Sequence, residues 1–194
     1  MFLYHGSHLE VKNPKILTSA RTGDFGTGFY LTSNLEQARR WAQIRARQEE
    51  VVSGVVTIYE TPDSLLKNPE LQIKQFAKAD DKWLDFVMNN RKDPNFNHHF
   101  DLVTGPVAND RVYACLNAFE DGFMNRETVI ENLKTYVLVD QFLFHTAKSL
   151  LFLNYSGKEN VACSRKSRRI MYICFFLTRL PKSVPPYDGI LKSA

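Results

Sequence analysis

Cysteine is scarce in this chain: three residues, Cys115, Cys163 and Cys174, with no Cys-x-x-Cys pair among them. An odd, scattered set argues against both a disulfide framework and a zinc site, and it fits a reducing compartment. Long apolar runs are also missing. The block Ile170–Leu177 is far too short to span a bilayer, so no transmembrane segment is expected. The opening Met-Phe-Leu-Tyr-His-Gly has no basic region and too short an apolar stretch for a secretion signal. A cytoplasmic location is therefore expected, or delivery as an effector without such a signal. His98-His99 followed by Asp101 lacks a third and fourth ligand at useful spacing, so no metal site is expected. No internal repeat is visible.

What is present suffices for one folded domain. Of 194 residues, 44% are hydrophobic and 24% charged, enough for a real core and against disorder. The net charge of +4 hints at nucleic acid, but its distribution removes the hint. Residues 1–155 carry 17 Lys and Arg against 19 Asp and Glu, while 156–194 carry 8 against 2. The basicity belongs to the tail.

Hydrophobic periodicity predicts an α+β chain. Strands are expected at Met1–His5, at Phe29–Thr32 entered through Gly26 and Gly28, and at Val51–Glu60. Between the second and third lies a helix from Leu35 to about Glu50, capped by Ser33 or Asn34 and carrying Leu35, Ala38, Trp41, Ala42 and Ile44 at helical spacing. Leu71, Ile73 and Phe76, and then Trp83, Leu84, Phe86 and Val87, read as two helices broken near Asp80-Asp81. Phe100–Gly105 is a strand stopped by Gly-Pro, Arg111–Phe119 a strand or a short helix, and Thr128–Thr135 a helix. Tyr136–His145 is a last strand and Thr146–Leu153 a closing helix.

Two segments carry the chemistry: Leu3-Tyr-His-Gly-Ser7, and Asp24-Phe-Gly-Thr-Gly-Phe-Tyr-Leu-Thr32. Together they resemble the first two signature segments of the diphtheria-toxin and poly(ADP-ribose) polymerase branch of ADP-ribosyltransferases, and in particular a bacterial family of small domains in it. The resemblance covers residues 1 to about 155. It implies a split mixed β-sheet core with peripheral helices, and NAD as substrate. It also implies roles. His5 would bond a ribose hydroxyl, and the backbone of Gly6, beside Ser7, would grip the nicotinamide carboxamide, which can approach closely where no Cβ intervenes. Tyr30 would stack on one face of nicotinamide. Trp41, eleven residues further on, matches the spacing of the family's second stacking aromatic and would close the other face. Arg21, just before the glycine loop, is a candidate for the pyrophosphate.

Simpler readings stand beside these. His5 would serve as a satisfied residue at the core edge, Tyr30 and Trp41 as core aromatics, and Arg21 as a solvated loop arginine. In the late strand the polymerase pattern has a glutamate where this chain has Gln141. An amide can orient a ribose but cannot accept a proton or offset a developing cation. Gln141 is thus consistent with transfer of a single ADP-ribose, or with a domain that binds NAD and does little chemistry. Asp140, by strand alternation, should face away from it. After Gly105-Pro106, Asn109 and Asp110 lie on a loop suited to acceptor recognition or to a simple Asx-turn.

Two functions follow as expectations. One is a mono-ADP-ribosyltransferase acting on an unidentified protein or nucleic-acid acceptor, as a bacterial toxin or effector would, with an antitoxin as a further partner. The other is a non-catalytic module holding NAD, ADP-ribose or a partner protein. An RNA-processing phosphotransferase on a related fold would need an arginine-rich site that the body does not display. The NAD-binding domain is expected to end near Tyr155. The tail 156–194, with its basic run Cys163–Arg169 and the apolar block after it, is expected to be a weakly ordered accessory segment or an extension arising from a frame change.

Overall fold

Strand β1 (Phe2–Ser7) opens the chain in the computed structural model, which describes residues 1–17, 23–93, 96–107, 110–135 and 138–163. Strand β2 (Phe29–Leu31) follows, then helix α1 (Leu35–Gln48) and strand β3 (Ser53–Glu60). Asn34 caps α1, its side-chain oxygen accepting the Gln37 N–H at 3.0 Å. β1 pairs antiparallel with β3 from Phe2↔Glu60 to Ser7↔Val55.

The segment around Leu71–Phe76 corrects the sequence expectation: it forms strand β4 (Ile73–Gln75), parallel to β5 (Leu102–Pro106), and not a helix. Leu71, Ile73 and Phe76, two and three residues apart, hold no sustained helical period, and here the backbone is claimed by β5: Phe76 N–H donates to the Thr104 carbonyl at 2.8 Å. Gly105 and Pro106 lie inside β5, where they had been expected to turn the chain. Helix α2 (Asp81–Lys92) starts where the break was predicted, with Asp80 accepting the Trp83 N–H at 3.1 Å. The undecided segment is helix α3 (Asp110–Glu120), followed by α4 (Arg126–Lys134), β6 (Asp140–Phe144) and the single turn α5 (Ala147–Leu150).

Strand β7 (Asn154–Ala162) is the second correction. It pairs with β3 from Ser53↔Ala162 to Glu60↔Asn154, so the compact unit runs from Met1 to Cys163, past the boundary expected at Tyr155. Its residues are mostly exposed, with only Val161 buried, and an edge strand with no apolar alternation leaves little trace in hydrophobicity. The added residues leave the charge balance of the unit unchanged, at 18 Lys and Arg against 20 Asp and Glu. The basic run after Cys163 and the apolar block behind it fall outside the described residues.

The fold is mixed α+β, with two sheets and five helices among the described residues. One sheet has the order β1-β3-β7, the other β2-β6-β5-β4. Leu3 and Tyr59 of the first sheet share an apolar layer with Phe29, Phe142 and Phe144 of the second. Helix α1 covers the outer face of the first sheet, while α2, α3 and α4 cover the other face of the second around Trp83, Phe86, Leu116 and Leu133. The sheets meet where Tyr4 and Thr32 exchange backbone hydrogen bonds of 2.8 and 3.1 Å. That junction brings the two motif segments together.

Candidate functional site

At the junction, His5 Nδ1–H donates to the carbonyl of Tyr30 at 2.9 Å. Since a carbonyl can only accept, the proton sits on Nδ1 and Nε2 is left as an acceptor. Burial lowers the His5 pKa, the bond to Tyr30 opposes that, and the charge of Arg45 lowers it further, so the ring is neutral near pH 7. The imidazole lies against Phe29, ring centroids 4.4 Å apart.

Gly6 is where α1 touches β1. A Cβ there would lie 2.1 Å from the Ala38 carbonyl oxygen, 2.7 Å from the Ala42 nitrogen and 2.9 Å from Trp41 Cβ. Only glycine admits this approach, so the residue explains helix docking whether or not a ligand uses its backbone. Ser7 ends β1, half-buried and opposite Val55. Trp41 stays 44% exposed, which removes the core-aromatic reading for this residue.

Tyr30 sits differently from what a simple clamp requires. As the neighbour of Phe29 on a strand it projects to the opposite face from the His5 ring, and it packs against the cluster of Phe25 and Leu143. Its hydroxyl donates to the Gly26 carbonyl at 2.6 Å and accepts the Phe25 N–H at 3.2 Å. Burial, then the nearby Asp24 carboxylate, raises its pKa. Gln141 is 7% exposed and, two residues from Leu143, shares the face of Tyr30. Its Nε2 is buried with no hydrogen-bond partner among the described residues, a cost of roughly 1–3 kcal/mol that a ligand acceptor would relieve. Asp140 faces the other way, as alternation predicts, accepting from the Thr32 hydroxyl at 3.0 Å and the Ser33 N–H at 2.9 Å.

Other sequence candidates fall elsewhere. Arg21 and Asn109 lie outside the described residues, and Asp110 opens α3. Asp101 is structural, accepting the Gln72 N–H at 2.9 Å and the Thr146 hydroxyl at 2.7 Å. Two surface concavities, of about 480 and 290 Å³, are lined by residues 9–15 and by Asp81 with residues of α4, and neither touches His5, Tyr30, Trp41 or Gln141. Among the described residues no group of three or more His, Cys, Asp or Glu is placed to hold a metal ion. No helix among them is long and apolar enough to cross a membrane.

The sequence reading missed how the glycine loop is held. His98 Nε2–H donates to the Phe25 carbonyl at 2.8 Å, the Tyr30 hydroxyl to that of Gly26, and His145 Nδ1–H to that of Thr27 at 2.6 Å. Three consecutive carbonyls are thus gripped by three side chains, and the two imidazoles lie against each other, tilted by 41°, with centroids 4.4 Å apart. Burial lowers the His98 pKa, and its Nδ1 is buried without a partner among the described residues. The register Phe29↔Phe144 extended by one residue sets His145 beside Gly28, a relation available only once β2 and β6 are paired. Asp24, 4% exposed in the same loop, accepts from the Tyr113 hydroxyl at 3.2 Å.

No curated protein and no solved structure matches this chain. A family model does, over residues 1–155, which takes in β1, the glycine loop, α1 and β6 and stops just inside β7. The chain belongs to that family, described as Protein of unknown function (DUF3990).

Proposed function

We propose that this chain is an NAD-dependent mono-ADP-ribosyltransferase with an unidentified macromolecular acceptor, built on an ADP-ribosyltransferase-like split sheet. The observation that carries the reading is the 2.9 Å bond from His5 to the Tyr30 carbonyl, which joins two motif segments 25 residues apart and leaves His5 Nε2 free to accept. The exposed ring of Trp41 against Gly6 and the unpartnered amide of Gln141 add an apolar platform and a donor.

In the proposed reaction the bond between nicotinamide and ribose C1′ breaks and nicotinamide leaves with the bonding pair. An acceptor nucleophile then attacks C1′ and gives up its proton to solvent. His5 Nε2 accepts from a ribose hydroxyl, Gly6 offers its backbone to the carboxamide, and Trp41 covers the ring. Tyr30, whose hydroxyl is already engaged, supports the site by fixing the Phe25–Gly26 loop. In this reading Gln141, on the face of Tyr30, approaches the ribose from the opposite side of β2 to His5, and it supplies no negative charge to the developing cation. That lack favours the second reading, a module that binds NAD or ADP-ribose with little turnover.

Fluorescence tests the binding step, because Trp83 is fully buried and Trp41 is not. Titrating the full chain with NAD should quench emission in the wild type and leave Trp41→Phe nearly unchanged. A flat wild-type titration to millimolar NAD with folded protein overturns the proposal. Nicotinamide release then separates the two readings: Gln141→Glu should raise it if the chain is a transferase, whereas release at blank level with NAD bound selects the binding module.

A further inference from the structure

The two flanks of helix α1 are used unequally. Ala38, Ala42 and Ala46 form its buried stripe. On one side of that stripe every turn is engaged with β7 or its end: the Arg39 guanidinium pairs with Glu159 at 2.8 Å, Gln43 Nε2–H donates to the Ala162 carbonyl at 3.3 Å, and Arg47 donates to the Cys163 sulfur at 3.3 Å. On the other side, toward β1 and its junction with β2, helical spacing lines up Gln37, Trp41 and Arg45. Gln37 meets the Thr32 hydroxyl at 3.5 Å, and Trp41 lies over Gly6 with its ring 44% exposed. Arg45 is half-buried, bonded to Gln48 at 2.9 Å, and makes no ion pair among the described residues.

An aromatic ring and a guanidinium one turn further on, above the strand whose Gly6 faces the helix and whose His5 ring turns to the opposite face, form a pair that accommodates a ring joined to an anion. A half-buried guanidinium with no carboxylate partner among the described residues is suited to bidentate contact with phosphate.

We propose that Arg45 is the phosphate-contacting residue of this site, so that a nucleotide-sugar pyrophosphate runs from the Trp41–Gly6 platform along α1 toward its C-terminal end. The inference rests on the NAD reading above and deepens it: it names the anionic half of the ligand and the helix face that receives it. In this arrangement the nicotinamide end depends on Trp41 and Gly6, and the pyrophosphate end on Arg45. Arg40, on the exposed outer face of the same helix, takes no part.

Binding of ADP-ribose and of free nicotinamide to the full chain, measured by calorimetry, tests this. Arg45→Gln should weaken ADP-ribose by about tenfold or more, as loss of a charge-assisted contact does, and should flatten the salt dependence of its affinity. Arg45→Lys should retain part of the affinity, and Arg40→Gln, with the same change in net charge, should retain nearly all. Nicotinamide binding should be unaffected by any of the three. Equal ADP-ribose affinity in wild type and a folded Arg45→Gln refutes the role of Arg45 and leaves the NAD reading standing. Failure of the wild-type chain to bind ADP-ribose refutes this proposal, and failure to bind nicotinamide and NAD as well refutes the reading beneath it.

Discussion

Helix α1 meets its sheet backbone to backbone, whereas α2 meets its sheet through rings. Under α1 the contacting residues are Gly6 and Gly54 on the strands and Ala38, Ala42 and Ala46 on the helix. A Cβ at Gly54 would come within 2.2 Å of the Ala42 carbonyl oxygen. Under α2 the contact is filled by Trp83, Phe86, Phe25 and Phe76, with ring centroids 5.2 Å apart for Phe76 and Phe86 and 6.1 Å apart for Phe25 and Phe86. The first junction fixes position, because there is no side chain between the two backbones that could adjust. The second supplies buried area. Gly6 and Trp41 belong to the first, Arg45 lies on the same helix and His5 on the same strand, so the candidate site is attached to the part of the molecule with the least freedom to shift.

The contrast predicts opposite sensitivities. Trp83→Ala should have the largest effect, about 3–5 kcal/mol in urea unfolding, since it empties a fully buried position and removes the Nε1–H bond to the Pro106 carbonyl. Gly54→Ala adds a single methyl yet should cost about 1–3 kcal/mol, because backbone atoms stand in its way. A loss below about 0.5 kcal/mol, the level of an ordinary surface change, would break the comparison at its first term.

The smallest effect concerns pH. The folded pKa of His98 is lowered from the ordinary 6.5, chiefly by burial, so between the lowered value and 6.5 the unfolded chain binds more protons than the folded one. Stability should therefore fall as pH drops from about 7.5 to about 5.5, with His5, lowered by burial in the same way, contributing to the same fall, and His98→Gln, which keeps a donor but cannot titrate, should make it shallower without abolishing it. Asp101, Asp63 and Glu159, whose folded pKa values are also lowered, act at more acidic pH and stay outside that window. Identical slopes in wild type and variant would remove His98 from the account.

Strong local signals were legible in the sequence. Asn34 and Asp80 cap the helices that their apolar periodicity predicts, and the two motif segments form the strands β1 and β2. Signals that depend on pairing were not. β4 is three residues long and exists because β5 lies beside it, and β7 shows an almost wholly polar face to solvent. At the candidate site, His5 and Gly6 could be singled out because they sit in a short local motif, although the partners that surround them, Phe29 and Tyr30 for His5 and Ala38, Trp41 and Ala42 for Gly6, come from elsewhere in the chain. The grip on the glycine loop was missed because His98 and His145 reach it from remote strand and loop positions, and Tyr30 was given a stacking role that its bonded hydroxyl and its face of the strand do not favour.

The pairing of β2 with β6 also sets an order in time. β1, α1 and β3 can close on one another once residue 60 has left the ribosome, and they contain His5, Gly6, Trp41 and Arg45. β2, which carries Tyr30, lacks its sheet partner until residues 140–144 have been made. At roughly 5–20 residues per second that interval lasts several seconds or more. If β1, α1 and β3 close that early, the nascent chain holds a half-built site, its helix and first strand in place and the glycine loop still without the strand and the histidines that fasten it.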